Sequence, residues 1–554
     1  MDNEIITLKN SDEKIPIDES FLLIAGPGAG KTTFLVNHIK HVIDESNKLK
    51  NGSKILCITF TNVAVDTIKE RLVNCSSDVE ISTIHSFLFT HVLKPYIWMI
   101  KDEINDNLMD ISTIKESFPS YSLLPPIRTW YGIKNRFSLS EIFSQLEHFY
   151  WDLNEGIVKP KCESYINFSD NFLLNYKTNL WNKGKITPDD ILLFSYKILV
   201  KKPKILEILR IKFPYVFIDE FQDVCNIQKK IIEMMCEKKT TVGIIGDPAQ
   251  SIYSFRGAKY GNLKNINLNL KEYEININHR SNDKIVKVLN NVRNDGLNQI
   301  SLRNDEFLPT IIIGNEVNAY EYLNNIINGP LHVLSYKHKD LNSFQLKINS
   351  EEFKYNENYL FELKQVNDNR ESIIRHTISA LEYFMNLDIK LAMKNFSHAF
   401  RNIETDESIH LKKLFELSQE YPNLINMSLK DFYNNFIYKD YPNEISKITR
   451  GNIENIYSNI YYSDIVTELK HTQNSFFRTI HGCKGADLDN VLILDRTNTL
   501  NYLLNFNIEK ITHRVYYVAL SRSKHKLFIS INNSISNDKI EKLKRIGFNV
   551  KILD

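Results

Sequence analysis

Five apolar residues, Phe21–Ala25, run into the turn GPGAG and leave through Lys31, Thr32 and Thr33 into a helical pattern. This strand–loop–helix unit constrains the fold more than any other feature of the chain. Gly26, Gly28 and Gly30 lack a Cβ, so the backbone can wrap closely around phosphates. The loop N–H groups, Ala29 among them, and the start of the next helix point at anionic oxygens. Lys31 is placed for the β- and γ-phosphates of a nucleoside triphosphate, and the Thr32 hydroxyl for Mg²⁺. Ala25 stands where such loops usually have their first glycine.

The 554 residues suffice for several domains. A content of 43% hydrophobic and 25% charged residues is ordinary for a globular protein. No apolar run reaches the ~20 residues needed to span a bilayer, so no membrane association is expected. The opening MDNEIITLKNSDEK is polar and acidic, unlike a secretory or transit sequence, and the cytoplasm is the expected compartment. Cysteines at 57, 75, 162, 225, 236 and 483 form no CxxC pair, which argues against a zinc site or a disulfide framework. A net charge of +2 does not announce nucleic-acid binding, so any such site must be a local groove.

Strand-length apolar runs recur at Phe21–Ala25, Lys54–Phe60, Tyr215–Asp219, Thr241–Gly246, Tyr273–Asn278, Pro309–Gly314, His332–Tyr336, Val491–Asp495 and Lys526–Ile531. Many are followed by helical patterns, which predicts an α/β protein with parallel sheets covered by helices. Ligands bind at the carboxyl ends of strands in such sheets. Two stretches, 91–182 and 371–462, lack strand signals and read as helical insertions.

A second nucleotide element is YVFIDEFQD, Tyr215–Asp223. Its strand delivers Asp219 to hold Mg²⁺, directly or through water. Glu220 follows, placed to orient and deprotonate the attacking water.

DEFQD resembles the DExQD box of superfamily 1 DNA helicases of the UvrD/Rep/PcrA type. Further boxes follow in order. ITFTNVAVDTIKERL and ISTIHSFL resemble the TFTNKAA and THS boxes, GDPAQSIYSFRGA the GDxxQSIYxFRGA box, and NHRS the NYRS box. TIHGCKGADLDNVLIL resembles the IHxxKGLEFxxV box and RVYYVALSRSKHKL the RLLYVALTRA box. The resemblance implies two recA-like P-loop NTPase motor domains, each with a mostly helical insertion. The first would take 1–90 and 183–265, with 91–182 inserted. The second would take 266–370 and 463–554, with a reduced insertion at 371–462.

Site roles follow from the same resemblance. Gln250 would link the γ-phosphate region to the nucleic-acid side. Arg280 and Arg522 would reach the γ-phosphate from the second domain, an effect worth about 10³–10⁵ in rate in related NTPases. Lys484, Gly485 and Asp487 would line the same cleft, Asp487 standing where relatives usually have glutamate. Phe60, Asn62, His85, Tyr253, Phe255, Arg256 and His481 occupy positions resembling strand-contacting ones. Aromatic faces accept any base, at about 1–3 kcal/mol per stacked base. Phe255 stands where many relatives carry tryptophan. The base pocket departs from the family. Thr33 and His279 replace an arginine and a tyrosine, and no glutamine precedes Gln145. Loose discrimination among ATP, GTP and other NTPs is therefore expected.

The implied activity is ATP-dependent 3′–5′ translocation along single-stranded DNA, with unwinding at single/double-strand junctions. An alternative is a nucleic-acid-stimulated NTPase serving as sensor in a multi-component system. Compact helicases of this kind resemble the helicase subunit of the Gabija anti-phage system, which works beside a separate nuclease. No nuclease box is visible, so on this alternative a nuclease is a possible separate partner rather than a fused domain. A third reading is a P-loop ATPase that does not touch nucleic acid, against which Phe255, Arg256 and His481 speak.

Overall fold

The computed structural model describes the chain outside residues 1–4, 51, 76, 104–141, 143–144, 147, 183, 238, 349–358, 360–362, 364–368, 386, 401–402, 405, 470–475, 496–498, 533 and 554. In chain order the first strands are β1 (Ile6–Leu8), β2 (Phe21–Ala25), β3 (Ile55–Thr59), β4 (Val79–Thr83), β5 (Phe149–Asn154), β6 (Ile157–Cys162), β7 (Tyr215–Ile218), β8 (Thr241–Gly246) and β9 (Lys271–Ile275). All but β5 and β6 join one seven-stranded parallel sheet in the order β1-β9-β2-β8-β7-β3-β4. The inner strands β3, β7 and β8 are buried on both faces, as parallel sheets require. Phe21, Leu23, Cys57 and Phe217 pack on one face with the helix Lys31–Glu45. Leu22, Leu56, Val216 and Ile244 pack on the other.

The order β2-β8-β7 decides where chemistry can sit. Three adjacent strands end side by side and release the phosphate loop, the Asp247–Gln250 turn and the Asp219–Glu220 pair at one edge.

After β10 (Ile277–Asn278) and β11 (Ile300–Ser301), a small parallel pair, come β12 (Thr310–Ile313), β13 (Leu331–Ser335), β14 (Phe477–Thr479), β15 (Leu488–Asp495), β16 (Ser523–Ile531) and β17 (Asn549–Ile552). These six form a second parallel sheet in the order β14-β13-β15-β16-β12-β17. Between β13 and β14 lies a helical unit that includes Asn369–Met385, Ile389–Phe400 and Glu407–Gln419, with its own core of Leu381, Phe396, Leu414, Phe432 and Tyr462. Among the described residues no helix is long and apolar enough to cross a membrane.

Three expectations need correction. The run Tyr273–Asn278 is not one strand, and the first sheet does not end by residue 265. The chain breaks at Asn276: Lys271–Ile275 pairs with β1 and β2, whereas Ile277–Asn278 pairs with Ile300–Ser301. The stretch 91–182, expected to be helical, contains the antiparallel hairpin β5–β6. Its two-residue turn has both Glu155 (φ 49) and Gly156 (φ 82) left-handed, the requirement of a type I′ hairpin. The aromatic run FYW before Asn154-Glu155-Gly156 was the readable signal. Residues 104–141 of that stretch lie outside the described residues.

Candidate functional site

The phosphate loop is built from local conformational demands. Gly28 and Gly30 have φ of 71° and 81°, and Gly30 starts the helix Lys31–Glu45 with no side chain capping its N–H groups. A Cβ on Gly28 would lie 2.6 Å from Asn278 Oδ1 and 2.7 Å from Arg280 Cβ, so this glycine admits the second lobe. Lys31 Nζ donates to the carbonyls of Ala25 (3.1 Å) and Gly26 (3.2 Å). Burial pulls the Lys31 ammonium below its usual range, opposed by Glu220, Asp247 and Asp219.

Asp219 is buried at the end of β7, and burial together with Glu220 pushes its carboxyl upward. Burial acts on Glu220 in the same sense, but Lys484, Lys31 and Arg522 outweigh it and keep Glu220 ionised. Glu220 is one of three non-glycine residues with positive φ among those described (φ 54). That conformation is uncommon, and such strain concentrates at functional sites. Gln222 Nε2 donates to Glu220 Oε2 at 2.5 Å.

Cations enter from the second lobe. Arg280, just past β10, donates from Nη1 to Ser521 O (3.0 Å), and its Nε lies 2.5 Å from Asp487 Oδ1. Asp487 thus reaches into the cleft despite its short side chain. Arg522 is buried at the start of β16 and donates to Gln250 Oε1 at 3.0 Å. Burial and the neighbouring Arg522 push Arg280 down to about 10. Two guanidinium groups and the Lys31 ammonium facing one space form a charge pattern suited to a polyanion. Lys484 Nζ binds Asp223, donates to Gln250 O (2.8 Å) and lies 3.5 Å from Glu220. Burial would lower the Lys484 ammonium, but Asp223 and Glu220 raise it.

Beside the loop, His279 N donates to Gly28 O at 2.9 Å, and its ring comes within 3.9 Å of a Cβ built on Gly30. Ser11 lies on the other side of that position, at 2.9 Å. Thr33 accepts from Arg71 Nη1 at 3.3 Å, so an arginine stands beside the position where relatives carry one in the loop itself. Ala29 is buried, Thr32 half-buried at the first helical turn, and Gly485 exposed in a left-handed turn (φ 86). Thr32 and Asp219 would offer two hard oxygens to a Mg²⁺ ion. Among the described residues no three His, Cys, Asp or Glu side chains gather to hold a metal. Such a donor set fits an ion that draws most of its shell from phosphate and water.

A row of rings crosses from one lobe to the other. Phe60 stacks on Tyr253 with centroids 4.8 Å apart. Tyr253 lies 5.8 Å from Phe255, Phe255 5.7 Å from His481, and His481 5.7 Å from Tyr336. The Arg256 guanidinium lies 6.0 Å and 5.8 Å from the Tyr253 and Phe255 rings and is itself exposed. Burial and Arg256 hold His85 down to about 4, so it is a neutral hydrogen-bonding group at pH 7. Asn62 is exposed at the start of its helix and touches none of these rings in the described contacts.

The structure adds residues that sequence reasoning did not single out. Asn278 Nδ2 and Gln299 Nε2 both donate to Pro27 O, at 2.8 Å and 3.0 Å, clamping the loop from the second lobe. Asp223, Gln222 and Asp247 lay inside quoted boxes and could have been named. Tyr336 ends a recognised strand run. His148, 6.0 Å from Phe255, gave no signal of its own.

Comparison with known proteins bears on these features together. Residues 9–271 match the UvrD/REP helicase N-terminal domain and residues 323–534 the UvrD-like helicase C-terminal domain. The chain is 22% identical to the Gabija protein GajB of Bacillus cereus (strain HuB5-5), over 94% of this chain and 92% of that protein. It is 26% identical to the ATP-dependent DNA helicase Rep of Buchnera aphidicola subsp. Acyrthosiphon pisum (strain APS), over 95% of this chain and 90% of that one. With the ATP-dependent DNA helicase PcrA of Bacillus subtilis (strain 168) it shares 27% identity over 51% of this chain, spanning only 38% of PcrA.

Proposed function

The chain belongs to the UvrD-like helicase family, and from that premise we propose that it is an ATP-dependent motor that moves 3′ to 5′ on single-stranded DNA and unwinds duplex at junctions. The observation that carries this reading is the meeting of Lys31 from one lobe with Arg280 and Arg522 from the other around a single space, coupled by Gln250 to the ring row. A triphosphate would bind on the loop with its γ-phosphate toward the two arginines. Glu220 would take the proton of the attacking water. Mg²⁺, held by Thr32 and Asp219, would neutralise phosphate charge. The arginines would stabilise the charge that spreads over the transferred oxygens.

Because those arginines belong to the second lobe, nucleotide draws the lobes together and phosphate release lets them part. The rings of Phe60, Tyr253, Phe255 and His481 change spacing with each closure and so shift stacked bases along. Within this proposal the first motor unit runs to Ile275, the stretches 91–182 and 371–462 are insertions, and the protein acts in the cytoplasm. The test is hydrolysis with and without single-stranded DNA, RNA and duplex. Stimulation by single-stranded DNA supports the motor; hydrolysis indifferent to all three does not.

A second reading follows from the similarity to the Gabija protein GajB, whose alignment takes in nearly all of both chains, as does that of the helicase Rep. On this reading the NTPase senses nucleic acid within a defence system and acts beside a nuclease partner. Robust unwinding by the purified chain alone favours the first reading. Hydrolysis without unwinding, together with co-purification of a nuclease, favours the second.

A further inference from the structure

Gln250 has an amide whose two ends are chemically opposite, and the structure fixes which end faces where. Its Nε2 donates to Asp247 Oδ2 at 2.7 Å, and its Oε1 accepts from Arg522 at 3.0 Å. The orientation therefore depends on Asp247 being an acceptor. Asp247 is fully buried, and its other oxygen takes Ala249 N (3.1 Å) and Arg293 Nη2 (3.3 Å). Arg293 supplies the full positive charge in direct contact with it.

Arg293 is itself fixed on every side. It follows the helix Asp283–Val292, whose Ile285, Val288, Leu289 and Val292 pack into the core of the second sheet. Its Nε and Nη2 bind Asp295 Oδ1 and Oδ2 at 2.7 Å and 2.6 Å, a bidentate pair. Its Nη1 donates to the Tyr517 hydroxyl at 3.1 Å. Tyr517 lies on the helix Ile511–Leu520 that leads directly to Arg522.

We propose that Arg293 is a positioning residue: by gripping one oxygen of Asp247 it holds the carboxylate against Gln250 Nε2, and so keeps the Gln250 amide in the one orientation that presents oxygen to Arg522. Without that grip the carboxylate can swing away from Nε2. The Gln250 amide is then free to turn its NH₂ toward the guanidinium, two donors face each other, and the bond between the lobes is lost.

The inference rests on the reading of the cleft as a hydrolysis site coupled to single-stranded DNA, and its test separates the two. In the full chain, Arg293→Met is expected to lower single-strand-stimulated kcat for ATP at least tenfold while KM changes less than threefold. In a Gln250→Ala background the same substitution is expected to add less than a twofold loss, because its effect runs through Gln250. Arg293→Lys, which keeps the charge, should recover at least half of the lost rate on a logarithmic scale. Should Arg293→Met not fold, Arg293→Gln carries the same expectations. A crystal structure of the variant gives a readout independent of activity: the Gln250–Arg522 bond should be broken. Wild-type stimulated kcat in the variant, additive losses with Gln250→Ala, or an intact Gln250–Arg522 bond each overturns the proposal. If the parent protein shows no stimulation by single strands, the functional reading fails, and the crystallographic arm alone decides the role of Arg293.

Discussion

Arg522 of the second lobe donates to the side chain of Gln250 of the first, 3.0 Å away, and both residues are buried. The bond joins an arginine at the start of β16 to a turn that follows β8, 272 residues apart in sequence. The second lobe holds the same turn in other ways. Ala249 and Ile252 pack into its core, and Arg514 Nε donates to Ser251 O at 2.5 Å. Tyr253, two residues beyond, begins the passage to the ring row. These contacts are the ones through which, on the proposed reading, a shift of the second lobe would reach the surface proposed for bases.

Lys31 and Glu220 separate binding from chemistry. Lys31→Ala is expected to lower hydrolysis at least about 100-fold and to weaken triphosphate binding, because it removes the loop's ammonium. Glu220→Gln is expected to keep binding within a few-fold and to block turnover, since the amide cannot accept the water proton. Equilibrium binding of a labelled nucleotide beside steady-state hydrolysis checks both. Wild-type turnover in either variant contradicts the assignment.

The base pocket is expected to be permissive. Ser11 and His279 lie beside Gly30, Arg71 beside Thr33, and no glutamine precedes Gln145 in the sequence to read an adenine edge. Side-by-side hydrolysis of ATP, GTP, CTP and UTP should give kcat/KM values within about two orders of magnitude, the range open to a site without paired hydrogen-bond readout. A preference for ATP beyond 100-fold contradicts this.

Phe255 is half-buried between His148 and His481 and remains open on one side. Phe255→Ala is expected to weaken single-strand binding by about 1–3 kcal/mol, equally for different sequences. Affinity in both proteins should fall as salt rises, with nearly the same slope, because the phosphate contacts are untouched. Fluorescence anisotropy with two oligonucleotides of unrelated sequence reads both quantities. An unchanged affinity would remove Phe255 from the interface.

His38 gives the fold an acid sensitivity. Its ring lies among Phe21 (5.1 Å), Phe34 (5.8 Å) and Phe217 (5.1 Å), and neither nitrogen has a hydrogen-bond partner. Burial, with His41 adding to it, pushes the imidazole down to about 4. An unfolded histidine titrates near about 6.5, so between these values the unfolded chain binds more protons. Stability is therefore full above the upper value and is lost as pH falls toward the lower one. His38→Phe should flatten the dependence of Tm on pH in that window. An identical slope in the variant excludes His38 as the cause.

Much of this molecule was legible because its chemistry sits at strand ends. The runs Phe21–Ala25 and Thr241–Gly246 match their strands residue for residue, since fully buried parallel strands read as unbroken apolar runs. The charged residues just beyond them then fall into one cleft. Short edge strands escaped notice: Ile6–Leu8 and Asn549–Ile552 are too brief, and too exposed, to leave an apolar run. The hairpin at Phe149–Cys162 left one readable signal, the aromatic run FYW, but its turn, Glu155-Gly156, carries only a single glycine. Arg293 could not be found from its neighbours in sequence, because its meaning lies in Asp247, 46 residues earlier.

The central claim is that the second lobe supplies the charge that completes hydrolysis on the first. Single-turnover hydrolysis of Mg-ATP by wild type and by Arg522→Ala, each saturated with nucleotide and single-stranded DNA, tests it directly. A loss of about 10³-fold or more, with nucleotide affinity changed less than tenfold, is the result expected of an arginine acting on the transition state. Hydrolysis by Arg522→Ala at the wild-type rate would contradict the account.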